Sequence, residues 1–285
     1  MSITNLTPDS FSDGTPTPYT PTELTSLVHS HLTSGATILD IGGQSTRPNA
    51  PYLTAPEELT RILPSVKHIS TLLASPQNPN PAACISIDTF HAPVARTCIE
   101  AGAHIINDVS AGLLDSEMLP TVADLGCTIV LMHMRGTPST MNSKENCTYP
   151  HGVVRGVAEA LLERVAAAEA AGIRRHRIIL DPGIGFSKTQ AQNLELLRRF
   201  SELRGWPGLR GLPWLVGASR KGFIGKVTGV AKARDRAWGT AAVVAGCVRE
   251  GVDVVRVHDV AEMAQVVRMS EAVYRVEDGE GEEAR

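Results

Sequence analysis

The sequence predicts one α/β domain with the (β/α)8 architecture of a TIM barrel. Eight short runs rich in β-branched residues alternate with helix-length segments over 285 residues. Several of these segments end in a glycine just before the next run, where a helix C-terminus favours a left-handed backbone. This alternation is typical of a parallel sheet covered by helices, and eight repeats favour a closed barrel over an open doubly wound sheet.

The predicted strands are short, and most end at or just before a polar residue or a glycine. They are Ser2–Asn5, Thr37–Ile41, Cys84–Asp88, His104–Asp108, Thr128–His133, Ile178–Asp181, Leu215–Ala218 and Val254–Val257. Helical periods are clear at Val153–Ala171 and Arg234–Arg249. The glycines expected to end helices are Gly35, Gly102, Gly126, Gly172 and Gly251.

Two segments have the composition of solvated, poorly ordered chain. Residues 75–83 are rich in Pro and Asn, and residues 277–285 are acidic with two glycines. We therefore expect a barrel domain over residues 1–276 and a disordered acidic tail over residues 277–285.

The composition excludes several classes of function. The net charge is −3 and the basic residues are dispersed, so we expect no nucleic-acid partner. We find no long apolar run and no signal sequence, so we expect no membrane association and an intracellular, cytoplasmic protein. Five scattered cysteines without a Cys-x-x-Cys pair argue against a disulfide framework and a zinc site. A small-molecule partner is the expectation that remains.

Polar residues gather at the predicted strand ends, which in a barrel converge on the face where barrel enzymes carry their chemistry. A single aspartate there is as often a helix cap or a turn former. Seven or eight polar ends together are hard to explain as caps. They are Asn5, Asp40, Asp88, Asn107, His133, Asp181, Gly217 with Ser219, and Arg256 with His258.

The types of these residues indicate the ligand. Asp88, Asn107 and Asp181 offer acceptors and an amide, which suit a ring that carries several N–H donors and acceptors. Cationic side chains follow the seventh and eighth strands and would hold an anionic group. These are Lys221, Arg256 and His258.

Each of these residues also has an ordinary structural explanation. A lysine after a strand is usually solvated, a lone histidine is more often a surface or core residue than a phosphate ligand, and an arginine can pair with a neighbouring helix. We interpret His133, between two methionines, as a packed histidine and not a metal ligand. The functional interpretation depends on convergence across strands.

Eight segments distributed over nearly the whole chain resemble dihydropteroate synthases and occur in that family's order. The first segment and the Ser-Arg-Lys-Gly element within the seventh are the most discriminating. The segments are Asn5–Gly14, Asp40–Pro48, Ser86–Thr89, Ile106–Ser110, Met132–Pro138, Asp181–Phe186, Gly217–Gly225 and Arg256–Val260.

The resemblance implies roles for the matching residues. The pterin ring would lie among Asp88, Asn107, Asp181 and Lys221, in a slot lined by Met132, Phe186 and Gly217. Arg256 and His258, with Val257 between them, would hold the pyrophosphate. Asn5 would help to bind Mg²⁺, Thr46 would contact substrate from the second loop, and Ser219 would border 4-aminobenzoate. Asp88, Lys221, Arg256 and His258 would be the catalytic residues.

The implied reaction joins 6-hydroxymethyl-7,8-dihydropterin pyrophosphate to 4-aminobenzoate, giving 7,8-dihydropteroate and pyrophosphate. Breaking the carbon–oxygen bond leaves a cation at the methylene carbon. Magnesium, Arg256 and His258 suit the departing negative charge, and a carboxylate such as Asp88 suits the positive ring. The amine attacks directly, so no serine or cysteine nucleophile is needed.

Two alternatives remain open from the sequence. One is a barrel that passes a methyl group from a folate to a corrinoid protein. The other is a non-catalytic pterin-binding domain, suggested by Gln44 and Asn49 where many family members carry Glu and Gly. The resemblance further implies a homodimer, for which Asp259–Tyr274 is the candidate interface. Fusion to other folate-pathway domains in a longer chain is also implied, and a mitochondrial location would accompany a eukaryotic fusion.

Overall fold

The computed structural model describes residues 1–6, 19–44 and 53–275, and these ranges contain eight parallel strands. Strands β1 to β6 pair consecutively, and β7 pairs with β8. The strands are β1 (Ser2–Asn5), β2 (Ile38–Gly42), β3 (Cys84–Asp88), β4 (Ile105–Asp108), β5 (Thr128–Met132), β6 (Ile178–Asp181), β7 (Leu215–Val216) and β8 (Val254–Val255).

Two seams close this sheet into a barrel. Leu180 pairs in parallel with Trp214 between β6 and β7, and Ser2 pairs with Val257 between β1 and the end of β8. The backbone N–H of Leu180 donates to Pro213 at 2.9 Å, and that of Ile3 donates to Val257 at 3.0 Å. The predicted barrel is confirmed.

Ten α-helices lie within the described ranges. Three of them, α1, α2 and α6, begin with a capping box in which a threonine and a Glu or Gln three residues later exchange hydrogen bonds. The helices are α1 (Pro21–Thr33), α2 (Ala55–Leu73), α3 (Ala92–Glu100), α4 (Met118–Leu125), α5 (Val153–Ala170), α6 (Gln190–Arg198), α7 (Phe200–Arg204), α8 (Gly222–Thr228), α9 (Ala237–Arg249) and α10 (Val260–Tyr274). None of the described helices is long and apolar enough to span a bilayer.

The predicted boundaries differ from the observed ones mainly at the later elements. Strands β7 and β8 have two residues each where four were predicted, because only these residues pair before both chains turn toward the loops. Helix α9 begins at Ala237 instead of Arg234, since residues 233–235 form a short 3-10 helix. All five glycines expected to end helices have positive φ.

The segment at residues 75–83 is mostly exposed, as predicted, but the expectation of poor order is not supported. The Asn78 side chain donates to the carbonyl of Leu73, and that of Asn80 donates to Ala36, both at 3.0 Å. The first hydrogen bond joins this segment to the end of helix α2, and the second joins it to the chain just before strand β2. The tail at residues 277–285 lies outside the described part of the chain.

The two-residue period of the strands decides which side chains face the barrel axis. On β3, Ile85 and Ile87 are fully buried in the main core cluster of the protein. Side chains alternate along a strand, so Ser86 and Asp88 face the opposite way. The same alternation on β4 and β6 turns Asn107 and Asp181 inward. Polar groups thus meet at the carboxyl end of the barrel.

Candidate active site

A cavity of about 580 Å³ opens at the carboxyl ends of the strands, a size typical of small-molecule sites. Most of the candidate residues named from the sequence line it. These are Asn5, Asp88, Asn107, Met132, Asp181, Phe186, Gly217, Ser219, Lys221, Arg256 and His258. The predicted convergence of polar strand ends is therefore present in the structure.

One further candidate cannot be placed, and another lies away from the cavity. Thr46 lies outside the described residues, so its predicted contact with substrate stays a prediction. The structure does not bring Val257 to the cavity, because its side chain is buried in the core and its backbone pairs with β1 at the seam.

Arg256 bridges two buried carboxylates at the cavity floor. Its Nε donates to Asp40 Oδ2 at 2.6 Å, and its Nη2 donates to Asp88 Oδ2 at 2.7 Å. Asn107 Nδ2 also donates to Asp40, at 3.3 Å. Burial raises the pKa of Asp88 to about 7, although the adjacent Arg256 charge opposes this shift. Burial thus favours the neutral carboxyl form of Asp88, whereas the hydrogen bond from Arg256 favours the carboxylate.

Lys221 projects its ammonium group into the site from the N-terminus of α8. The Nζ atom donates to the carbonyl of Ile184 and lies 4.6 Å from the centroid of the Phe186 ring, within cation–π range. Burial lowers the pKa of Lys221 to about 8, and the negative charge of Asp181 opposes that shift. Burial likewise raises the pKa of Asp181, opposed by Lys221.

Ser219 orients His258 in the cavity. The Ser219 hydroxyl oxygen lies 2.9 Å from His258 Nδ1 and accepts a hydrogen bond from the His258 backbone N–H at 3.2 Å. The next residue, Arg220, has a φ of 60° and donates from Nε to Asp259 at 3.1 Å. This ion pair connects the loop after β7 to the loop after β8. The cationic groups of both loops are thereby held in one arrangement.

Sequence reasoning assigned no role to Asp40 and Lys188, which are charged residues of the site. Asp40 was noted as a strand end but not given a role, and it accepts from Arg256 while fully buried. Lys188 also lines the cavity and is only 6% exposed. The available signal was that Lys188, like Lys221, lies in a loop that follows a strand of the barrel. His133 is buried, as predicted for a packed histidine.

The arrangement can accommodate a magnesium ion that takes few ligands from the protein. Among the described residues, no group of three His, Cys, Asp or Glu side chains could hold a metal. Asn5 lines the cavity, and both its Oδ1 atom and Asp88 lie within 4 Å of the point where Gly42 would carry a Cβ. Magnesium commonly keeps water and takes phosphate oxygens with one or two protein ligands. The donor set therefore fits that ion.

The fold and the cavity define a TIM-barrel enzyme site in which buried hydrogen-bonding groups lie beside cationic groups. Comparison with known proteins agrees with this class. Residues 1–258 match the family model described as "Pterin binding enzyme". The chain belongs to this family of pterin-binding enzymes.

Individual relatives within this family are dihydropteroate synthases or longer folate-synthesis proteins. The chain is 48% identical over 273 residues to the folic acid synthesis protein fol1 of Schizosaccharomyces pombe, covering 96% of this chain but 36% of that protein. It is 41% identical to the dihydropteroate synthase of Synechocystis, covering 96% and 90% of the two chains. The solved dihydropteroate synthase of Xanthomonas albilineans with 4-aminobenzoic acid matches with a TM-score of 0.83 and 38% identity, over 97% and 93% of the chains. The resemblance inferred from the motifs is confirmed.

Proposed function

We propose that the chain is a dihydropteroate synthase that condenses 6-hydroxymethyl-7,8-dihydropterin pyrophosphate with 4-aminobenzoate. The observation that carries the proposal is that Asp88, Asn107, Asp181 and Lys221 line one cavity together with the cationic Arg256 and His258. The chain spans 36% of the fungal relative and 90% of the cyanobacterial synthase, so the activity is proposed for the barrel itself.

The floor of the cavity suits the pterin ring. Asp181 and Asn107 are buried groups that can pair with ring N–H groups and acceptors, and Lys221 is a cationic donor above the Phe186 ring. A buried polar group costs free energy when it is left unpaired. A ring with complementary donors and acceptors is therefore favoured over an apolar ligand of the same size.

The pyrophosphate is proposed to lie toward Arg256 and His258. A guanidinium carries five N–H donors, and the bonds to Asp40 and Asp88 use two of them. Asn5 would supply a carboxamide oxygen to Mg²⁺, which would be shared with the pyrophosphate and would offset its negative charge.

The proposed reaction exchanges one bond at the pterin methylene carbon. The carbon–oxygen bond breaks and the pyrophosphate leaves with the electron pair, while Arg256 and His258 stabilise the departing charge. Asp88 in its carboxylate form stabilises the positive pterin. The aminobenzoate nitrogen then forms the new carbon–nitrogen bond and releases a proton to solvent.

The outer part of the cavity is proposed to hold 4-aminobenzoate. Ser219 and Phe186 both line the cavity and border the space next to Lys221. The related Xanthomonas albilineans synthase is described with 4-aminobenzoic acid bound. Thr46 is proposed to add a contact from the second loop.

The assembly is proposed to be a homodimer through α10. Among the described residues of this helix, Met269, Val273 and Tyr274 are 65%, 57% and 51% exposed. Large exposed apolar side chains on one helix are consistent with a protein interface. Fusion to further folate-pathway domains is proposed by analogy with the longer fungal relative. A cytoplasmic location, or a mitochondrial one for a eukaryotic fusion, completes the proposal.

The test is pyrophosphate release by the purified chain given the pterin pyrophosphate, Mg²⁺ and 4-aminobenzoate. We expect release matched by dihydropteroate formation, no release when aminobenzoate is omitted, and loss of turnover in Lys221→Ala but not in Lys67→Ala, an exposed lysine on α2. Pterin binding without turnover would indicate the non-catalytic alternative. Binding of a methylated folate but not of the pterin pyrophosphate would indicate the methyltransferase alternative.

A further inference from the structure

Lys188 is a buried lysine without an assigned role in the proposed reaction. Its Nζ atom lies 2.9 Å from His133 Nδ1, 3.0 Å from the Gly183 carbonyl oxygen and 2.9 Å from the Phe186 carbonyl oxygen. In its ammonium form the side chain has three N–H donors, which match these three acceptors when His133 Nδ1 carries no proton. Lysines are almost never so buried unless they are paired. The arrangement is therefore a specific structural feature and not a solvated side chain.

The acceptors of Lys188 belong to two neighbouring loops. His133 follows β5, whereas Gly183 and Phe186 belong to the loop after β6, residues 182–188, which we call the β6 loop. Gly183 has a φ of 67°, and a Cβ at that position would lie 2.0 Å from the His133 carbonyl oxygen. The β6 loop thus packs directly on the end of β5, with Lys188 beneath both.

The β6 loop carries the groups that contact Lys221. The carbonyl of Ile184 accepts from Lys221 Nζ, and the Phe186 ring lies below the same atom. Gly185 approaches so closely that a Cβ there would be 2.9 Å from Lys221 Cδ. A shift of the loop would consequently change the contacts that hold the Lys221 side chain.

We infer that Lys188 is a positioning residue for the pterin slot: it ties the β6 loop to His133 and thereby fixes where Lys221 and Phe186 meet the pterin. This inference rests on the proposed function for the identity of the ligand. It assigns Lys188 no contact with reacting atoms. Its effect should appear in pterin affinity more than in the chemical step, because Lys221 and Phe186 define the slot that the ring enters.

The β6 loop has a second anchor, which makes the inference testable in a folded variant. The Arg135 backbone N–H donates to Ser187 Oγ at 2.8 Å, and Ser187 Oγ donates to the Arg135 carbonyl at 2.9 Å. The Tyr149 hydroxyl donates to the Ser187 carbonyl at 3.0 Å. Removing the Lys188 bonds alone therefore leaves the loop attached at Ser187.

The experiment compares Lys188→Met with Lys67→Met, a change at an exposed lysine of α2. We expect the dissociation constant of the pterin pyrophosphate to rise about tenfold in Lys188→Met, with a smaller rise in the KM for 4-aminobenzoate at saturating pterin, because Phe186 borders that substrate as well. Wild-type binding that persists in Lys188→Met within twofold, or an equal loss for both substrates, would overturn the inference.

A second readout is independent of ligand and activity. Amide hydrogen exchange should accelerate in residues 183–188 and around Lys221 in Lys188→Met, and remain unchanged in Lys67→Met. Unchanged exchange in a folded Lys188→Met would contradict the positioning role even if the chain made no dihydropteroate. If Lys188→Met does not fold, His133→Leu removes one of the three acceptors and should show a smaller change in the same residues. Unchanged exchange there would overturn the inference equally.

Discussion

Arg256 and Asp88 are joined by a hydrogen bond of 2.7 Å between Nη2 and Oδ2, although 168 positions separate them in the chain. Asp40 accepts from the same guanidinium at 2.6 Å and is completely buried. One arginine after the eighth strand therefore balances carboxylates from the second and third. This relationship gives Arg256 a structural role beside its proposed contact with the pyrophosphate.

Arg256→Leu should lower both stability and activity. Removing one partner of a buried ion pair leaves uncompensated charge and typically costs about 3–5 kcal/mol. Arg155→Leu is the matched control, since Arg155 Nε also lies 2.6 Å from a carboxylate oxygen, in Glu159, but on the exposed surface of α5. Exposed pairs contribute about 0–1 kcal/mol. Denaturant unfolding measures both variants, and similar losses would refute the structural role of Arg256.

The pH profile of kcat/KM should be bell-shaped and narrow. Burial raises the pKa of Asp88 to about 7, so its carboxylate forms only as the pH rises through that value. Burial lowers the pKa of Lys221 to about 8, so its ammonium is lost as the pH rises further. Activity should increase through pH of about 7 and decline above about 8, as expected for two essential groups of the free enzyme.

Lys221→Arg provides the control for the alkaline limb of that profile. Arginine stays protonated throughout this range, so whatever activity remains should no longer decline above pH 8. Initial rates at low substrate from pH 5 to 9.5 measure both profiles. An alkaline decline that persists in Lys221→Arg would assign that limb to another group.

Gly185→Ala should impair catalysis beyond its effect on stability. Its φ of 85° strains any L side chain, and a Cβ would lie 2.9 Å from Lys221 Cδ. Gly211 has the same φ of 85°, but a Cβ there would meet nothing within 4 Å. Both substitutions should destabilise by roughly 1 kcal/mol or more.

Only the change at Gly185 should alter kinetics. We expect kcat/KM for the pterin pyrophosphate to fall about tenfold or more in Gly185→Ala, because Lys221 is displaced. Gly211→Ala should keep the wild-type value. Thermal unfolding measures the effect on stability, and steady-state kinetics measures the effect on kcat/KM. Equal kcat/KM values in the two variants would show that Lys221 tolerates the added methyl group.

Removal of magnesium should abolish turnover, and Asn5 should set the concentration of the ion that is needed. Asn5→Ala removes a proposed oxygen ligand, so half-maximal activity should require about tenfold more Mg²⁺. Asn5→Asp keeps an oxygen at that position and should need no more Mg²⁺ than the wild type. Titration of chelator-treated protein with Mg²⁺ measures both, and an unchanged requirement in Asn5→Ala would exclude Asn5 as a ligand.

Much of the fold could be predicted because its signals are local. Eight β-branched runs, separated by helical periods, marked every strand, and the glycines before them all have the positive φ that was expected. Alternation along each strand also turned Asp88, Asn107 and Asp181 to the same side as predicted. The sequence predicted the ends of β7 and β8 least well. Only two residues of each strand are paired, and the point where each strand ends depends on its partner.

The amino-acid order specified the strands, the residue types at their ends and the family motifs, because each is encoded within a few neighbouring positions. Tertiary structure alone decided which of those groups meet. Asp40 and Arg256 are 216 positions apart and become partners only when the seam between β1 and the end of β8 closes the barrel. In the sequence, Lys188 looks like an ordinary loop lysine. In the structure it is buried where the β6 loop packs on the residues that follow β5. The site forms when the barrel closes, and the contacts that close it join residues far apart in the chain. Local sequence periodicity does not predict such contacts.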